Sequence, residues 1–237
     1  MFSELTILML TAVSIAFLHT LFGPDHYVPF IVMSKARKWS YVKTLSITVI
    51  CGLGHVGSSI VLGLVGVGLG VTVTKLELFE SMRGNWAAWG LIAFGLVYFI
   101  YGIRAAFKNK PHTHGHDHSS GEKHLHGHTH YGEHTHVHEA GALSQYVPWT
   151  LFVIFILGPC EPLIPLLMYP AAKYNFFAVA MVTGIFSLIT IATMVGIVTV
   201  SAFGLKSLSI RPFERYAHAA AGFALLLCGC AIQFLGL

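Results

Sequence analysis

Charged residues are scarce in this chain. Of its 237 residues, only 10% are Asp, Glu, Lys or Arg, whereas 55% are hydrophobic. A soluble domain carries about 25% of these four charged residues, because they cover its water-facing surface. The scarcity excludes a soluble enzyme, a nucleic-acid-binding protein and a disordered chain. Several apolar runs exceed the roughly 20 residues that cross a bilayer, which predicts an integral, multi-pass protein of the plasma or inner membrane.

Cysteine is also sparse, and it is absent from the polar loops. The four cysteines, Cys51, Cys160, Cys228 and Cys230, all lie within apolar runs. A secreted disulfide framework would place them in loops instead, so that class is excluded. Basic residues are lacking near the N-terminus, where the only charged residue is Glu4. The first apolar run is therefore predicted to be a retained membrane span and not a signal peptide.

Six apolar segments are predicted to cross the membrane. They cover residues 5–33, 44–74, 86–103, 146–170, 174–203 and 216–237. Eleven of the fourteen Lys and Arg residues follow the first, third and fifth segments. Because short cytoplasmic loops are enriched in Lys and Arg, this bias predicts that both termini lie outside and that the long loop 104–145 is cytoplasmic.

The two halves of the sequence resemble each other around two Gly-Pro pairs. The matching positions are 21–26 with 156–161, 51–53 with 183–185, and Arg83 with Arg215. A unit of three spans has an odd number of crossings, so the second copy must be inverted, as in many transporters. The predicted fold is an all-α membrane protein with six transmembrane helices in two inverted three-helix repeats. The predicted division is 1–110 for the first repeat, 111–140 for a His-rich cytoplasmic loop and 141–237 for the second repeat.

Acidic residues occupy both Gly-Pro positions. Asp25 follows Pro24 and Glu161 lies two residues after Pro159, whereas the other eight acidic residues are assigned to loops or span ends. A charged side chain at the centre of a span costs about 2.5–3.5 kcal/mol, so two at matched positions indicate a functional site. Pro24 and Pro159 lack an N–H and are predicted to break the first and fourth helices, which frees backbone groups inside the membrane.

Histidine and cysteine complete a predicted metal site near these breaks. The proposed ligands are His19, Asp25, His26, His55, Cys160 and Glu161. His19 and His26 are seven residues apart, which is two helical turns in an unbroken helix and would place them on one face. Imidazole and carboxylate ligands suit Ni²⁺, Co²⁺, Zn²⁺ or Fe²⁺. For each single histidine a hydrogen-bonded packing role stays open, and for Cys160 the role of a small buried apolar residue stays open.

Eleven of the fifteen histidines lie in one stretch of the predicted cytoplasmic loop. They are His112, His114, His116, His118, His124, His126, His128, His130, His134, His136 and His138. Alternating His-x-His with polar residues between cannot form a packed core and is typical of a flexible metal-binding tract. In an extended chain the spacing of two brings the imidazoles to one side. A pH-sensitive solvated linker is the alternative.

With these residues in view, the chain resembles the nickel/cobalt transporter superfamily, in particular its short efflux and urease-accessory-type branch. The resemblance is carried by the motif of residues 19–26, the Gly54-His55 pair and the His-rich loop. It implies a divalent-cation transporter in which His19, Asp25 and His26 are essential. Five residues separate His19 from Asp25 here, where the well-known permeases have four, and the chain has fewer spans. Metal identity and transport direction therefore do not carry over.

The predicted function is secondary transport of a divalent transition metal, Ni²⁺ or Co²⁺ before Zn²⁺, with efflux slightly favoured over uptake for metalloenzyme maturation. A thiol-disulfide electron carrier is the rival, because residues 158–162 also resemble the Pro-Cys break of membrane thiol-disulfide carriers. That chemistry needs a thiol at each break, and the first break has Asp25-His26 instead. We expect no enzymatic activity, no permanently bound cofactor and no nucleic-acid partner. The expected partners are the metal substrate and membrane lipid, with a homo-oligomer or a metallochaperone left open.

Overall fold

The computed structural model describes residues 2–108, 112–117, 123–128, 140–204 and 211–236. Its helices are α1 (Phe2–Phe22), α2 (Val28–Ala36), α3 (Tyr41–Gly68), α4 (Val73–Lys108), α5 (Ala140–Leu157), α6 (Leu163–Lys173), α7 (Phe176–Gly204) and α8 (Ala217–Leu235). Short 3-10 turns cover Pro24–His26 and Arg211–Tyr216, and two strands, β1 (His112–Asp117) and β2 (Lys123–His128), lie between α4 and α5.

Five helical segments are long and apolar enough to cross a membrane, which fits a multi-pass membrane protein. They cover Glu4–Phe22, Tyr41–Gly68, Val73–Phe107, Phe176–Gly204 and Glu214–Leu235. The predicted fourth segment, 146–170, is interrupted at the break predicted at Pro159 and consists of the two shorter helices α5 and α6. The predicted third segment, 86–103, is too short, because α4 already begins at Val73 and runs to Lys108.

Both interrupted helices end at a Gly-Pro pair. After α1 ends, Pro24 opens a single 3-10 turn and α2 begins at Val28; we call residues 23–27 the first break. Between α5 and α6 lies the second break, residues 158–162, where the Cys160 carbonyl accepts the Leu163 N–H at 2.9 Å as α6 starts. A proline lacks the N–H that would continue the helical ladder, so each helix stops there.

Helices α4 and α8 pack closely against each other through glycines spaced seven residues apart. Gly95 and Gly102 on α4 face α8, and Gly222 and Gly229 on α8 face α4. A Cβ on Gly222 would collide with the backbone of Phe99, so no side-chain movement could make room for it. Small residues that let backbones approach are a common means of helix association in membranes, where apolar burial supplies little driving force.

We expect Gly222→Ala to destabilise the protein, because its methyl group must push the α4 and α8 backbones apart. Overpacking a tight interface typically costs about 1–3 kcal/mol. Gly196→Ala in α7 is the matched control, since a Cβ there meets no atom within 4 Å. Thermal unfolding in detergent should show a lower midpoint for Gly222→Ala only. Equal midpoints for the two variants would contradict this packing account.

The His-rich loop contains an antiparallel hairpin, where the sequence suggested a flexible tract. In the β1–β2 register His112 pairs with His128, His114 with His126, and His116 with His124. Alternation of histidine with polar residues matches the period of two of a β-strand, and this explains how such a sequence can adopt one. His118, His130, His134, His136 and His138 lie outside the described residues.

Candidate metal centre

Three histidines from separate parts of the chain converge beside the first break. His19 comes from the last turn of α1, His26 from the 3-10 turn and His55 from the middle of α3. Each offers a ring nitrogen, and these nitrogens lie within 4.8 Å of one another. His26 and His55 are each only 2% exposed. We call His19, His26 and His55 the histidine triad. It is the one group of three or more such ligands among the described residues.

Hydrogen bonds determine which nitrogen of two triad rings faces the centre. The Nδ1 atom of His26 lies 3.1 Å from both the Asp25 carboxylate and the Gly23 carbonyl oxygen. The Nδ1 atom of His55 lies 3.4 Å from the Phe155 carbonyl oxygen. Because a carbonyl and an ionised carboxylate only accept hydrogen bonds, Nδ1 carries the proton in each neutral ring. The Nε2 atoms of both rings are therefore left unprotonated.

These two unprotonated nitrogens face each other. The Nε2 atoms of His26 and His55 are 3.3 Å apart, so two neutral rings of these tautomers would oppose their lone pairs. Bonds of 2.0–2.1 Å to a tetrahedral ion place two nitrogens about 3.3–3.4 Å apart, which is close to this separation. The Nε2 atom of His19 is buried and has no hydrogen-bond partner in the structure. A cation at the centre would satisfy all three nitrogens.

Aromatic and carboxylate neighbours hold the triad in place. The His26 ring packs edge-on against His19 and His55, with centroids 4.8 Å and 4.9 Å away. Phe155 packs against His55 at 6.2 Å and closes that side. The Asp25 carboxylate, whose side chain is 26% exposed, bonds the outer nitrogen of His26. Carboxylates in this position orient metal-binding histidines and strengthen them as ligands.

The triad borders a cavity of about 920 Å³. Polar side chains from α4, the second break and α8 also line this cavity, namely Ser81, Asn85, Glu161 and Gln233. Asp25 lines it too, so the carboxylate beside His26 reaches the cavity wall. These polar groups therefore share the cavity wall with the three imidazoles.

The two predicted ligands from the second break are not part of the triad. Cys160 is fully buried and packs in an apolar cluster with Ala12, Ala16 and Val56. This placement matches the alternative of a small apolar packing residue. Glu161 is exposed and lines the cavity, so it lies along the approach to the triad and not within it. All four cysteines are described, and all are free thiols.

A buried ion pair in α4 is absent from the sequence-based prediction. The acidic residues other than Asp25 and Glu161 were assigned to loops or span ends. In the structure Glu80 lies within the first turns of α4, together with Arg83, and the two residues are 0% and 8% exposed. The signal available in the sequence was the spacing of three residues between opposite charges, which places them on one helix face. The sequence does not indicate which surface the pair contacts: Arg83 donates to the Ile156 carbonyl at the end of α5 and to the Gly158 carbonyl in the second break.

Comparison with known proteins adds no relative. No protein-family model, no curated protein and no solved structure matches this chain. The functional interpretation therefore depends on the geometry of the triad and on the sequence motifs that supply it.

Proposed function

We propose that the protein transports a divalent transition-metal ion across the membrane, with Ni²⁺ or Co²⁺ the first candidates and Zn²⁺ next. The observation that carries the proposal is the convergence of three imidazoles whose ring nitrogens lie within 4.8 Å of one another, with the unprotonated Nε2 atoms of His26 and His55 facing each other. Such a site inside an apolar helical protein matches the rule that intramembrane polar clusters mark ion pathways. The resemblance of residues 19–26 to the nickel/cobalt transporter superfamily points the same way.

The three imidazole ligands suit a metal ion that is intermediate between hard and soft. Neutral imidazoles suit Zn²⁺, Ni²⁺ and Co²⁺, whereas Mg²⁺ and Ca²⁺ prefer oxygen ligands. Asp25 supplies a negative charge beside His26, which offsets part of the ion's charge. Because each histidine must be deprotonated to bind, metal occupancy falls as the pH is lowered, and release of the ion can be coupled to proton uptake.

We further propose that the helices form two inverted repeats. The element order supports this, because each half has an interrupted helix followed by two further helices. The contacts are reciprocal as well: α1 packs against α7 as α5 packs against α3, and the last helices, α4 and α8, pack against each other. Reciprocal contacts of this kind are what an approximate two-fold axis produces. Rocking of one repeat against the other would alternate access to the triad.

The His-rich hairpin adds a capture role to this proposal. With both termini outside, the hairpin lies in the cytoplasm, where its paired histidines raise the local metal concentration near the inner mouth. Capture before export favours efflux over uptake. For measurements on the histidine triad, the test protein is the 237-residue chain with the eleven histidines of residues 112–138 replaced by Ser, which we call the loop-silent chain.

Asp25→Asn in the loop-silent chain is expected to lower metal flux by about 10–100-fold, the usual cost of losing a carboxylate that orients a histidine ligand. The change also removes the negative charge next to the ion. Flux of Ni²⁺, Co²⁺ and Zn²⁺ should be measured in proteoliposomes at two pH gradients, which also reports direction and proton coupling.

The matched control is Glu214→Gln, which removes a carboxylate that pairs with Lys38 at 2.6 Å near the start of α8. It should transport like the parent chain. Full flux in Asp25→Asn would refute a transport role for the carboxylate, and absence of saturable flux in the parent chain would refute the transporter itself.

A further inference from the structure

We propose that Glu80 and Arg83 are positioning residues for the triad: they hold the second break against α4 and thereby orient His55 for metal binding. The inference deepens the proposed function and rests on it. Neither Glu80 nor Arg83 contributes a ligand to the triad.

The pair is tightly connected and shielded from solvent. Arg83 Nη1 donates to the Glu80 carboxylate at 2.6 Å, and the two side chains are 9% and 0% exposed. The other Glu80 oxygen accepts the backbone N–H of Cys160 at 3.2 Å. Arg83 Nη2 donates to the Ile156 carbonyl at 2.5 Å. Together the two side chains satisfy a backbone donor and a backbone acceptor at the end of α5 and in the second break.

Arg83 reaches His55 by two routes. On one side Nη2 donates to the Ser58 hydroxyl at 2.6 Å, and that hydroxyl donates to the His55 carbonyl at 2.8 Å. By the second route, Arg83 Nη2 donates to the Ile156 carbonyl. The preceding residue is Phe155, and the Phe155 carbonyl accepts the Nδ1–H of His55. The guanidinium therefore fixes both the backbone of His55 and the acceptor that sets its tautomer.

The close fit of the second break between α4 and His55 also supports a positioning role for Glu80 and Arg83. Gly84, next to Arg83, leaves room for Pro159, since a Cβ there would lie 2.7 Å from the proline ring. Gly158 similarly faces His55, with a Cβ position 3.2 Å from Nδ1. The second break thus fits closely between α4 and His55. A buried ion pair adds little net stability compared with apolar residues, so its retention favours a role in specifying this arrangement.

The test is Arg83→Lys in the loop-silent chain, with Arg37→Lys as the matched control. Lysine keeps the charge opposite Glu80 but loses the planar fork that bonds several acceptors at once. Arg37 instead donates to the Tyr98 hydroxyl at 2.9 Å. Two readouts are needed: the Kd for Co²⁺, and ¹⁵N NMR of the metal-free imidazoles. Only four histidines remain in the loop-silent chain, namely His19, His26, His55 and His218.

We expect Arg83→Lys to raise the Kd about 10–100-fold, as removal of other groups that orient ligands does. The His55 ¹⁵N signals should change from a single Nδ1-protonated tautomer to a mixture, while those of His26 stay unchanged. Arg37→Lys should match the parent chain in both readouts. If Arg83→Lys folds poorly, the neutral pair Glu80→Gln with Arg83→Gln is measured in the same way.

An unchanged Kd, or a raised Kd with unmoved His55 signals, would overturn the positioning role and leave the proposed function intact. If the parent chain binds no divalent ion, the proposed function fails, and the NMR of the metal-free chain still decides whether Arg83 sets the His55 tautomer.

Discussion

His26→Gln is expected to eliminate specific metal binding, with a larger loss than any other single change at the site. His26 is the central member of the triad, since its ring contacts both His19 and His55. Asp25 orients this ring through a hydrogen bond. Removal of the ring therefore removes one ligand and leaves the Asp25 carboxylate with no histidine to orient. Loss of a group that only orients a ligand costs about 10–100-fold in affinity, and loss of the ligand itself should exceed that.

The measurement is equilibrium binding of Ni²⁺, Co²⁺ and Zn²⁺ to the loop-silent chain. His218→Gln is the control, because His218 bonds the Tyr98 hydroxyl at 2.8 Å and belongs to a separate cluster. The control should bind like the parent chain, and both variants should unfold at temperatures near that of the parent. Retention of parental affinity in His26→Gln would show that the metal binds elsewhere.

Arg83→Leu is expected to have the largest effect on folding, at about 3–5 kcal/mol of lost stability, because it leaves Glu80 buried without its partner. Glu80 is fully buried, so solvent cannot compensate for the missing charge. The Ser58 hydroxyl and the Ile156 carbonyl lose a donor at the same time. Unfolding in detergent with increasing denaturant measures the loss.

The double variant Glu80→Leu with Arg83→Leu separates charge from packing. An apolar pair of similar volume often replaces a buried ion pair without loss of stability. The double variant should therefore recover most of the stability lost in Arg83→Leu. If it is as unstable as the single variant, the loss arises from the missing backbone contacts and not from an unpaired carboxylate.

Much of the candidate site is predictable from local sequence. Gly23-Pro24 stops a helix by itself, and a charged residue directly after it in an apolar run has few purely structural explanations. His19 and His26 follow from spacing along the same segment. His55 was found because it is a polar residue in the middle of an apolar span. None of these inferences needed knowledge of how the helices pack.

Packing between distant segments is the part of the structure that local sequence does not indicate. Cys160 was predicted as a ligand, with a small buried packing residue as the alternative, and its side chain packs in an apolar cluster that includes residues of α1 and α3. Glu80 was grouped with the acidic residues of loops and span ends, yet it is fully buried inside α4. Its burial depends on a backbone N–H of the second break, eighty residues later in the sequence. Hydropathy and residue spacing do not indicate a partner that lies so far away in the sequence.

The central claim is that the histidine triad binds one divalent ion, and X-ray absorption of the loop-silent chain with one equivalent of Zn²⁺ tests it most directly. The account predicts one ion per chain with three imidazole nitrogens at about 2.0–2.1 Å and no sulfur ligand. His26→Gln should lose that signature. A sulfur ligand at about 2.3 Å would show that Cys160 binds the ion. A shell of oxygen ligands alone would contradict the triad as the binding site.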